Sequence, residues 1–228
     1  MDRTGHTHLK KGASYNADNY RPISLTCVAS KIFEQIRKDA ILNHLKCYNI
    51  LDPSQHLFVE KRSTCSNLIE SLGDWTRSIE DKDVTLVASV DFQKAFNCVS
   101  FPKLIHKLKH IGIAGKLLDC ISSFLIGRTQ RVKLENNVSD EVVLISGVPQ
   151  GSVLGPVLFV IYINDIVYGQ PTGTISKLYV DDLKSYNLIQ DLTNSTSFIA
   201  TLKHIFDWST LWQLPYCPIQ MPMDAHII

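Results

Sequence analysis

Two aspartates, Asp181 and Asp182, separate two runs of apolar and β-branched residues, TISKLYV (174–180) and LKSYNLI (183–189). Runs of this length and composition predict β-strands, so the aspartates lie at the turn of a predicted hairpin. An unpaired charge within a buried strand is costly. The pair therefore either forms a solvated turn, in which Asp is common, or holds a positively charged group.

A third aspartate, Asp91, follows another strand-like run, VTLVASV (84–90). If this strand neighbours the hairpin in one sheet, Asp91 converges with Asp181 and Asp182 although they lie far apart in the chain. Three carboxylates repel one another unless a cation lies between them. Hard divalent ions such as Mg²⁺ prefer oxygen ligands, and a pair of them roughly 4 Å apart serves phosphoryl transfer. The sequence thus indicates a two-metal site, provided that the strands pair.

A glycine-containing loop, GVPQGS (147–152), precedes the most apolar window of the chain, VLGPVLFVIYI (153–163). Its glycines allow the backbone to approach a ligand closely, and Gln150 is its only side-chain amide. An ordinary connecting loop would explain the same residues. The apolar window is shorter than the roughly 18 residues that a membrane span needs, so it predicts a buried helix.

Periodicity predicts the remaining elements. Apolar residues recur at helical spacing from Lys31 to Leu45, with Ser30 as N-cap, and from Leu68 to Ile79. Further helices are predicted from Pro102 to Ile111, from Leu117 to Leu125 and over about 193–213, and further strands in RTQRVKLEN and EVVLISG. This order favours an α+β fold with a mostly antiparallel sheet that helices cover on one face.

The charge balance gives no general attraction to nucleic acid. Lys plus Arg number 23 and Asp plus Glu 22, a formal net charge of +1, so any such binding depends on local patches. The six cysteines form no C-x-x-C pair, which indicates reduced thiols. Neither a signal peptide nor a membrane span is visible, and we expect no membrane association and a cytoplasmic or nuclear, intracellular location.

Six segments resemble, in order and spacing, the reverse transcriptase domain of non-LTR, LINE-like retrotransposons. They are NYRPISLT (19–26), SVDFQKAF (89–96), GRTQRV (127–132), GVPQGSVLGPVLFVIYINDI (147–166), LYVDD (178–182) and the W-S-x-x-W-Q-L-P pattern (208–215). The resemblance extends over about residues 10–215.

The resemblance implies the fold of a right-hand polymerase, with an antiparallel palm sheet backed by helices. We expect a flexible arm at 1–18, a reverse transcriptase domain at 19–215 and an irregular tail at 216–228. Within the domain, the fingers would lie mainly at 19–83 and the palm mainly at 84–190. We expect the thumb to be missing.

The resemblance also implies RNA-directed DNA synthesis with an RNA template, a DNA primer and dNTP, assisted by two Mg²⁺ ions for which Mn²⁺ can substitute. By position, Asp91 and Asp181 would be the principal metal ligands and Asp182 the third catalytic carboxylate. Of the nucleotide-binding residues, Phe96 would exclude the ribose 2′-OH, a role compatible with core packing, and Gln150 would touch the incoming nucleotide.

Several cationic residues and one tyrosine complete the predicted site. Arg62 belongs to the predicted nucleotide contacts. Tyr179 would lie near the primer end, and Arg21, Arg128 and Arg131 would contact primer or template, since phosphate contacts supply most sequence-independent affinity. A solvated strand face explains Arg128, Arg131 and the neighbouring Lys133 equally well.

The chain departs from the family pattern mainly in one fingers segment, SQHLFVEKRSTCSNL (54–68). There Val59 and Glu60 replace an Arg and a Lys that would neutralise the triphosphate, while Lys61 and Arg62 compensate in part. Smaller departures are Leu57 for Gly, Lys61 for Gly, Asn97 for Asp, Tyr179-Val180 for Phe-Ala and Gln220 for Lys.

These departures leave two principal alternatives. The chain is either a polymerase domain or a catalytically inactive retroelement remnant that binds nucleic acid weakly at best. A third possibility, an interaction protein unrelated to polymerases, would require Asp91 to lie far from Asp181.

Overall fold

The computed structural model describes residues 2–9, 20–24, 26–134, 137–190 and 195–216. The chain divides into two compact units: the first is formed by Met1–Tyr48 and Phe96–Ile161, and the second by Asn49–Ala95 and Tyr162–Ile228. The units alternate along the chain, so they do not follow the predicted division between residues 83 and 84. The assignment of fingers and palm stays a prediction.

The described ranges contain helices and strands in mixed order. The helices are α1 (Val28–Cys47), α2 (Thr64–Glu80), α3 (Ala95–Cys98), α4 (Phe101–His110), α5 (Gly115–Leu125), α6 (Gly155–Ile163) and α7 (Thr196–Trp212), with a 3-10 helix at Asn164–Val167. The strands are β1 (Asp2–Leu9), β2 (Tyr20–Ser24), β3 (Val84–Asp91), β4 (Thr129–Leu134), β5 (Asn137–Val138), β6 (Val142–Val143), β7 (Thr174–Tyr179) and β8 (Asp182–Ile189).

The first unit contains a sheet in the order β2-β1-β4-β5, with β6 also paired to β4. β1 runs parallel to β4 and antiparallel to β2. We expected a flexible arm over residues 1–18, but Asp2–Leu9 forms a strand because neighbours on both sides satisfy its backbone hydrogen bonds. Residues 10–18 lie outside the described ranges.

Helix α1 begins earlier than its periodicity predicts. Its N-cap is Cys27, whose sulfur accepts a hydrogen bond from the Ser30 amide, so the prediction of Ser30 as N-cap was wrong. The buried residues of α1 are Glu34, Ile41 and Leu45. The N-terminal apolar residues of the predicted face are instead exposed: Ile32, Phe33 and Ile36.

The second unit contains an antiparallel sheet in the order β3-β8-β7. Tyr186 on β8 donates a hydrogen bond to Asp74 on α2 (2.5 Å), and the next residue, Asn187, donates to Ser197 on α7 (3.2 Å). Because successive side chains of a strand point to opposite faces, α2 and α7 cover opposite faces of this sheet. The expectation that helices cover only one face was therefore wrong.

Helix α2 packs against the sheet through small polar residues, since Asn67, Ser71 and Ser78 are its buried side chains. Thr85 on β3 donates a hydrogen bond to Ser78 at 2.8 Å. The apolar residues that periodicity assigned to the core are exposed instead: Leu68, Ile69, Leu72 and Ile79. Hydrogen bonding between polar side chains thus decides which face of α2 meets the sheet.

Helix α6 is buried as its sequence predicts, and its nine residues are too few to cross a bilayer. Across the described part of the chain, no helix combines the length and apolar character of a membrane span. The cysteines in these ranges, Cys27, Cys47, Cys65, Cys98 and Cys120, form no disulfide bond with one another, and Cys217 lies outside them.

Candidate active site

Asp91 and Asp182 lie directly opposite each other on β3 and β8, and Asp182 also lies opposite Tyr179 on β7. Opposed residues on antiparallel strands have Cα atoms roughly 4.5–5.5 Å apart, with side chains on the same face. The pairing on which the predicted carboxylate site depended is therefore present. It brings Asp182, rather than Asp181, opposite Asp91.

Asp181 occupies the two-residue turn between β7 and β8 together with Val180. Val180 has a φ of 58°, a conformation that favours glycine and is strained for a β-branched residue. A positive φ at the first turn residue is typical of the tight turns that fit the twist of a hairpin. The strain is the cost of a short connection that leaves Asp181 beside the ends of both strands.

The environment of Asp182 disfavours its ionised form. Partial burial raises the pKa of Asp182 above its usual range, and the neighbouring Asp91 raises it further, while Lys184 acts in the opposite direction. Burial and a like charge both disfavour the ionised carboxylate. A cation bound at this position would relieve both effects.

The oxygen donors at this end of the sheet fit a hard divalent ion. Within the described ranges, no three His, Cys, Asp or Glu side chains lie close enough together to hold a metal ion by themselves. Mg²⁺, however, commonly binds through one or two carboxylates and fills its shell with water and substrate phosphate oxygens. The pair Asp91 and Asp182, with Asp181 in the adjoining turn, meets that requirement.

A cavity of about 590 Å³ lies beside the paired aspartates in the second unit. Asp91 and Asp182 lie along its wall with Tyr179, and two cationic residues, Lys177 and Lys184, line it as well. Lys177 and Lys184 are opposed on β7 and β8, two residues from Tyr179 and Asp182 respectively. The cavity therefore presents anionic and cationic side chains from the same face of the sheet.

Four charged or titratable side chains form a network next to this cavity. Lys177 donates a hydrogen bond to Glu70 on α2, which lowers the pKa of Glu70 despite the opposing effect of burial. The Nε2 atom of the buried His56 lies 3.4 Å from Glu70 Oε2. Periodicity alone missed this network, although Lys177 shares the face of β7 that Tyr179 occupies.

Arg62, predicted to contact nucleotide, lies in the same network. Its Nη1 atom donates to the carbonyl of Pro53 and lies 3.4 Å from Nε2 of His56. Arg62 is half-buried, and it immediately follows Lys61, whose φ is 62°. The hydrogen bond to Pro53 anchors the guanidinium within its own loop, and its contact with nucleotide stays a prediction.

In the first unit, main-chain hydrogen bonds hold the predicted Gln150 loop. Val148 N–H donates to the carbonyl of Phe96 (2.7 Å), Gly147 N–H donates to that of Val99 (2.8 Å), and Ser24 N–H donates to that of Gln150 (2.9 Å). The loop is thus tied to β2 and to the segment that follows Phe96. The Gln150 side chain is half-buried.

Phe96 is also half-buried, and its ring stacks on that of Phe159 in α6, with centroids 4.8 Å apart and planes 12° apart. This stacking supports the core-packing interpretation of Phe96. It leaves part of the side chain accessible, so the predicted exclusion of a ribose hydroxyl remains compatible with the geometry.

The cationic residues assigned to primer or template lie in different environments. Arg21 lies on β2 opposite His8. Arg131 is exposed on β4, and it donates to Glu141 at 2.9 Å. The contact of Arg21 and Arg131 with nucleic acid stays a prediction.

Arg128 is buried, contrary to our expectation that it would meet phosphate or lie on a solvated strand face. Its Nε donates to the Leu125 carbonyl at 3.0 Å and its Nη2 to the Gly147 carbonyl at 2.5 Å. Its guanidinium also lies over the Phe101 and Phe124 rings, 5.6 and 5.9 Å from their centroids. Carbonyl acceptors and aromatic faces within the unit occupy this cation, because the preceding helix and the loop converge on it.

Known proteins with similar sequences belong to the same family that the sequence motifs indicate. A family described as reverse transcriptase (RNA-dependent DNA polymerase) matches residues 9–215. The chain is 27% identical over 206 residues to the RNA-directed DNA polymerase from mobile element jockey of Drosophila melanogaster, which covers 87% of this chain and 22% of that protein. It is 30% identical over 148 residues to the probable RNA-directed DNA polymerase from transposon X-element of the same fly, covering 65% and 16%.

The chain spans about a fifth of the length of the curated relatives that it matches. Among solved structures, a telomerase from Candida albicans in complex with a TWJ fragment of telomeric RNA superposes with a TM-score of 0.65 at 14% identity, covering 94% of this chain and 42% of that one. An apo telomerase from Candida tropicalis gives a TM-score of 0.60 at 14% identity, covering 93% and 48%. These likenesses confirm the expected α+β polymerase fold.

Proposed function

Because this chain belongs to the reverse transcriptase family, and specifically resembles the enzymes of non-LTR retrotransposons, we propose that it catalyses RNA-directed DNA synthesis. The observation that carries the proposal is the opposition of Asp91 and Asp182 across β3 and β8, with Asp181 in the adjoining turn. Members of this family generally depend on metal ions.

The proposed reaction is attack of a primer 3′-hydroxyl on the α-phosphate of a dNTP paired to an RNA template. The bond between the α- and β-phosphates breaks and pyrophosphate leaves. Asp91, Asp182 and Asp181 would hold two Mg²⁺ ions, with Mn²⁺ as a substitute. When bound, such ions lower the pKa of the attacking hydroxyl and neutralise charge on the leaving group.

The remaining residues of the proposal bind and orient the substrates. Tyr179, in the same row as the carboxylates, would contact the primer end. Gln150 and Phe96 would contact the nucleotide base and sugar, and Arg62 its phosphates. Arg21 and Arg131 would contact the primer–template backbone, which supplies sequence-independent affinity.

One feature favours the second candidate, a catalytically inactive remnant that binds nucleic acid weakly. The segment in which the family has an Arg and a Lys has the half-buried Val59 and the exposed Glu60 here. A charge-assisted hydrogen bond to phosphate contributes about 1.5–3 kcal/mol. Losing two of them would reduce the efficiency with dNTP by orders of magnitude.

Primer extension on poly(rA)/oligo(dT) with Mg²⁺ or Mn²⁺ tests the proposal. We expect extension by the wild type and its loss in Asp91→Asn, Asp181→Ala and Asp182→Asn, since each substitution removes a carboxylate from the proposed site. Asp119→Asn, an exposed position on α5, is the matched control and should retain extension. Folded wild-type protein that extends no primer at any concentration, yet retains template binding, would instead establish the remnant.

A further inference from the structure

Glu34 is a charged residue in the interior of the first unit. It lies on α1, its side chain is 1% exposed, and its Oε2 atom accepts hydrogen bonds from the amides of Val153 (2.8 Å) and Leu154 (3.2 Å). Those amides immediately precede α6 and follow the Gln150 loop. Glu34 falls within a run whose apolar spacing predicts only an amphipathic helix, so the sequence pattern does not single it out.

These contacts satisfy amides at the start of α6, together with one local side chain. The first amides of a helix have no partner within the helix and need an acceptor. Glu34 is the acceptor for the amides of Val153 and Leu154. The Ser152 hydroxyl is the acceptor for the Gly155 amide at 2.8 Å, and Pro156 has no amide hydrogen. A carboxylate at this end also interacts favourably with the helix dipole.

The arrangement is not one that maximises stability. The second carboxylate oxygen of Glu34, Oε1, is buried and has no hydrogen-bond partner among the described residues. Burying a charged group that is incompletely paired is costly, and apolar residues of similar volume often replace such groups without loss of stability. A contribution to stability therefore does not by itself explain why a carboxylate lies at this position.

Arg128 contacts the other end of the same segment. Its buried guanidinium donates to the carbonyl of Gly147 at 2.5 Å, six and seven residues before the two amides that donate to Glu34. The loop is thus held at one end by a buried cation and at the other by a buried anion. Between them, the Ser24 amide holds the Gln150 carbonyl at 2.9 Å.

We propose that Glu34 and Arg128 are positioning residues that fix the segment 147–154, and with it Gln150, for binding of the incoming nucleotide. This inference rests on the proposed function, in which Gln150 contacts the nucleotide. Fixing both ends of a short loop lowers the conformational freedom that nucleotide binding would otherwise have to remove. Neither Glu34 nor Arg128 contacts the substrate in this proposal.

Hydrogen exchange in the free protein tests the positioning without depending on catalysis. In Glu34→Leu, which removes the acceptor and fills the site with an apolar side chain, we expect the amides of Val153 and Leu154 to exchange about tenfold faster. The free energy of unfolding should change little, because removal of an incompletely paired buried charge offsets the cost of two amides left without an acceptor. Glu34→Gln keeps one acceptor oxygen and should restore most of the protection.

A second variant covers the other end of the loop. Arg128→Lys keeps the charge but loses the planar fork that reaches both carbonyls, and we expect faster exchange across 147–150. Asp39→Asn, an exposed carboxylate on the same helix as Glu34, is the control and should leave loop exchange unchanged. The proposal would be wrong if the amides of residues 147–154 exchanged in Glu34→Leu at the same rate as in the wild type. It would also be wrong if exchange of the amides throughout β3 and β8 were accelerated equally.

Steady-state kinetics then connect the loop to nucleotide binding. We expect the KM for dNTP to rise about tenfold in Glu34→Leu and Arg128→Lys, with the KM for primer–template unchanged, because a tenfold change corresponds to one lost hydrogen bond of average strength. An equal rise in both KM values would indicate a merely structural role. Lack of extension by the wild type would remove the proposed function, whereas the exchange result still decides whether these residues fix the loop.

Discussion

The carbonyl oxygen of Phe96 accepts a hydrogen bond from the amide of Val148 at 2.7 Å. This contact joins the residue predicted to exclude the ribose 2′-OH to the loop that presents Gln150, although 51 residues lie between Phe96 and Val148 in the chain. Any displacement of the loop backbone therefore also disturbs the position of Phe96. Both predicted nucleotide contacts depend on one set of main-chain hydrogen bonds.

Substitution of Gly147 tests whether the loop needs its present backbone conformation and its close approach to the segment after Phe96. Its φ is 91°, and a Cβ atom there would lie 2.8 Å from the carbonyl oxygen of Asn97. Gly147→Ala should therefore lower the free energy of unfolding by about 1–3 kcal/mol, measured by urea denaturation. At Gly73, in the interior of α2, an added Cβ would meet no atom within 4 Å beyond the adjoining residues and backbone of its own helix, and Gly73→Ala should stabilise the protein by about 0.5–1 kcal/mol. Equal effects of the two substitutions would contradict this account.

Val180 stores strain in the turn beside the aspartates. With a φ of 58°, it adopts a backbone conformation that costs a residue with a side chain about 1–2 kcal/mol. Val180→Gly relieves that cost but adds unfolded-state entropy, so we expect a net gain of about 0.5 kcal/mol in denaturant unfolding. Val142→Gly, at an exposed strand position without positive φ, should destabilise instead. A loss of stability in Val180→Gly would show that its side-chain packing outweighs the strain.

Glu70 makes stability depend on pH at the acid end. The hydrogen bond from Lys177 lowers the pKa of Glu70 below the ordinary value of 4.5, so the unfolded chain binds more protons at this group than the native chain does. Its stabilising contribution is therefore complete above about pH 4.5 and is lost as the pH falls through the lowered pKa. In Glu70→Gln, thermal unfolding between pH 3 and pH 7 should show a flatter acid limb. Glu80→Gln, exposed at the end of α2, should retain the wild-type slope.

The segment around Glu60 decides between an efficient enzyme and a remnant. If the absence of two cations limits nucleotide binding, Val59→Arg combined with Glu60→Lys should raise kcat/KM for dNTP by about tenfold or more per restored contact, measured by primer extension. Ile79→Arg combined with Glu80→Lys makes the same change of charge at exposed positions of α2 and should have little effect. Equal gains in both double variants would point to general attraction of the nucleic acid rather than a phosphate contact.

Local patterns in the sequence suffice for most of the elements and for the carboxylate site. The runs ending at Asp91 and flanking Asp181 and Asp182 form the predicted strands, and they pair so that Asp91 and Asp182 meet. The strands are predictable because β-branched composition acts over the few residues of each run. The carboxylates are predictable because an ionised side chain is costly inside a buried strand and is therefore found at its end.

The tertiary structure alone decided which faces are buried and which charges are internal. The predicted apolar faces of α1 and α2 are partly exposed, because the buried Asn67 of α2 and the carboxylate of Glu34 on α1 pair with partners distant in the chain. The sequence predicts Arg128 to be a surface cation, whereas in the structure the Gly147 carbonyl and two phenylalanine rings surround its guanidinium. Helical periodicity reports only that an apolar stripe exists. The partner of a buried polar group is set by packing between distant segments, which no local pattern encodes.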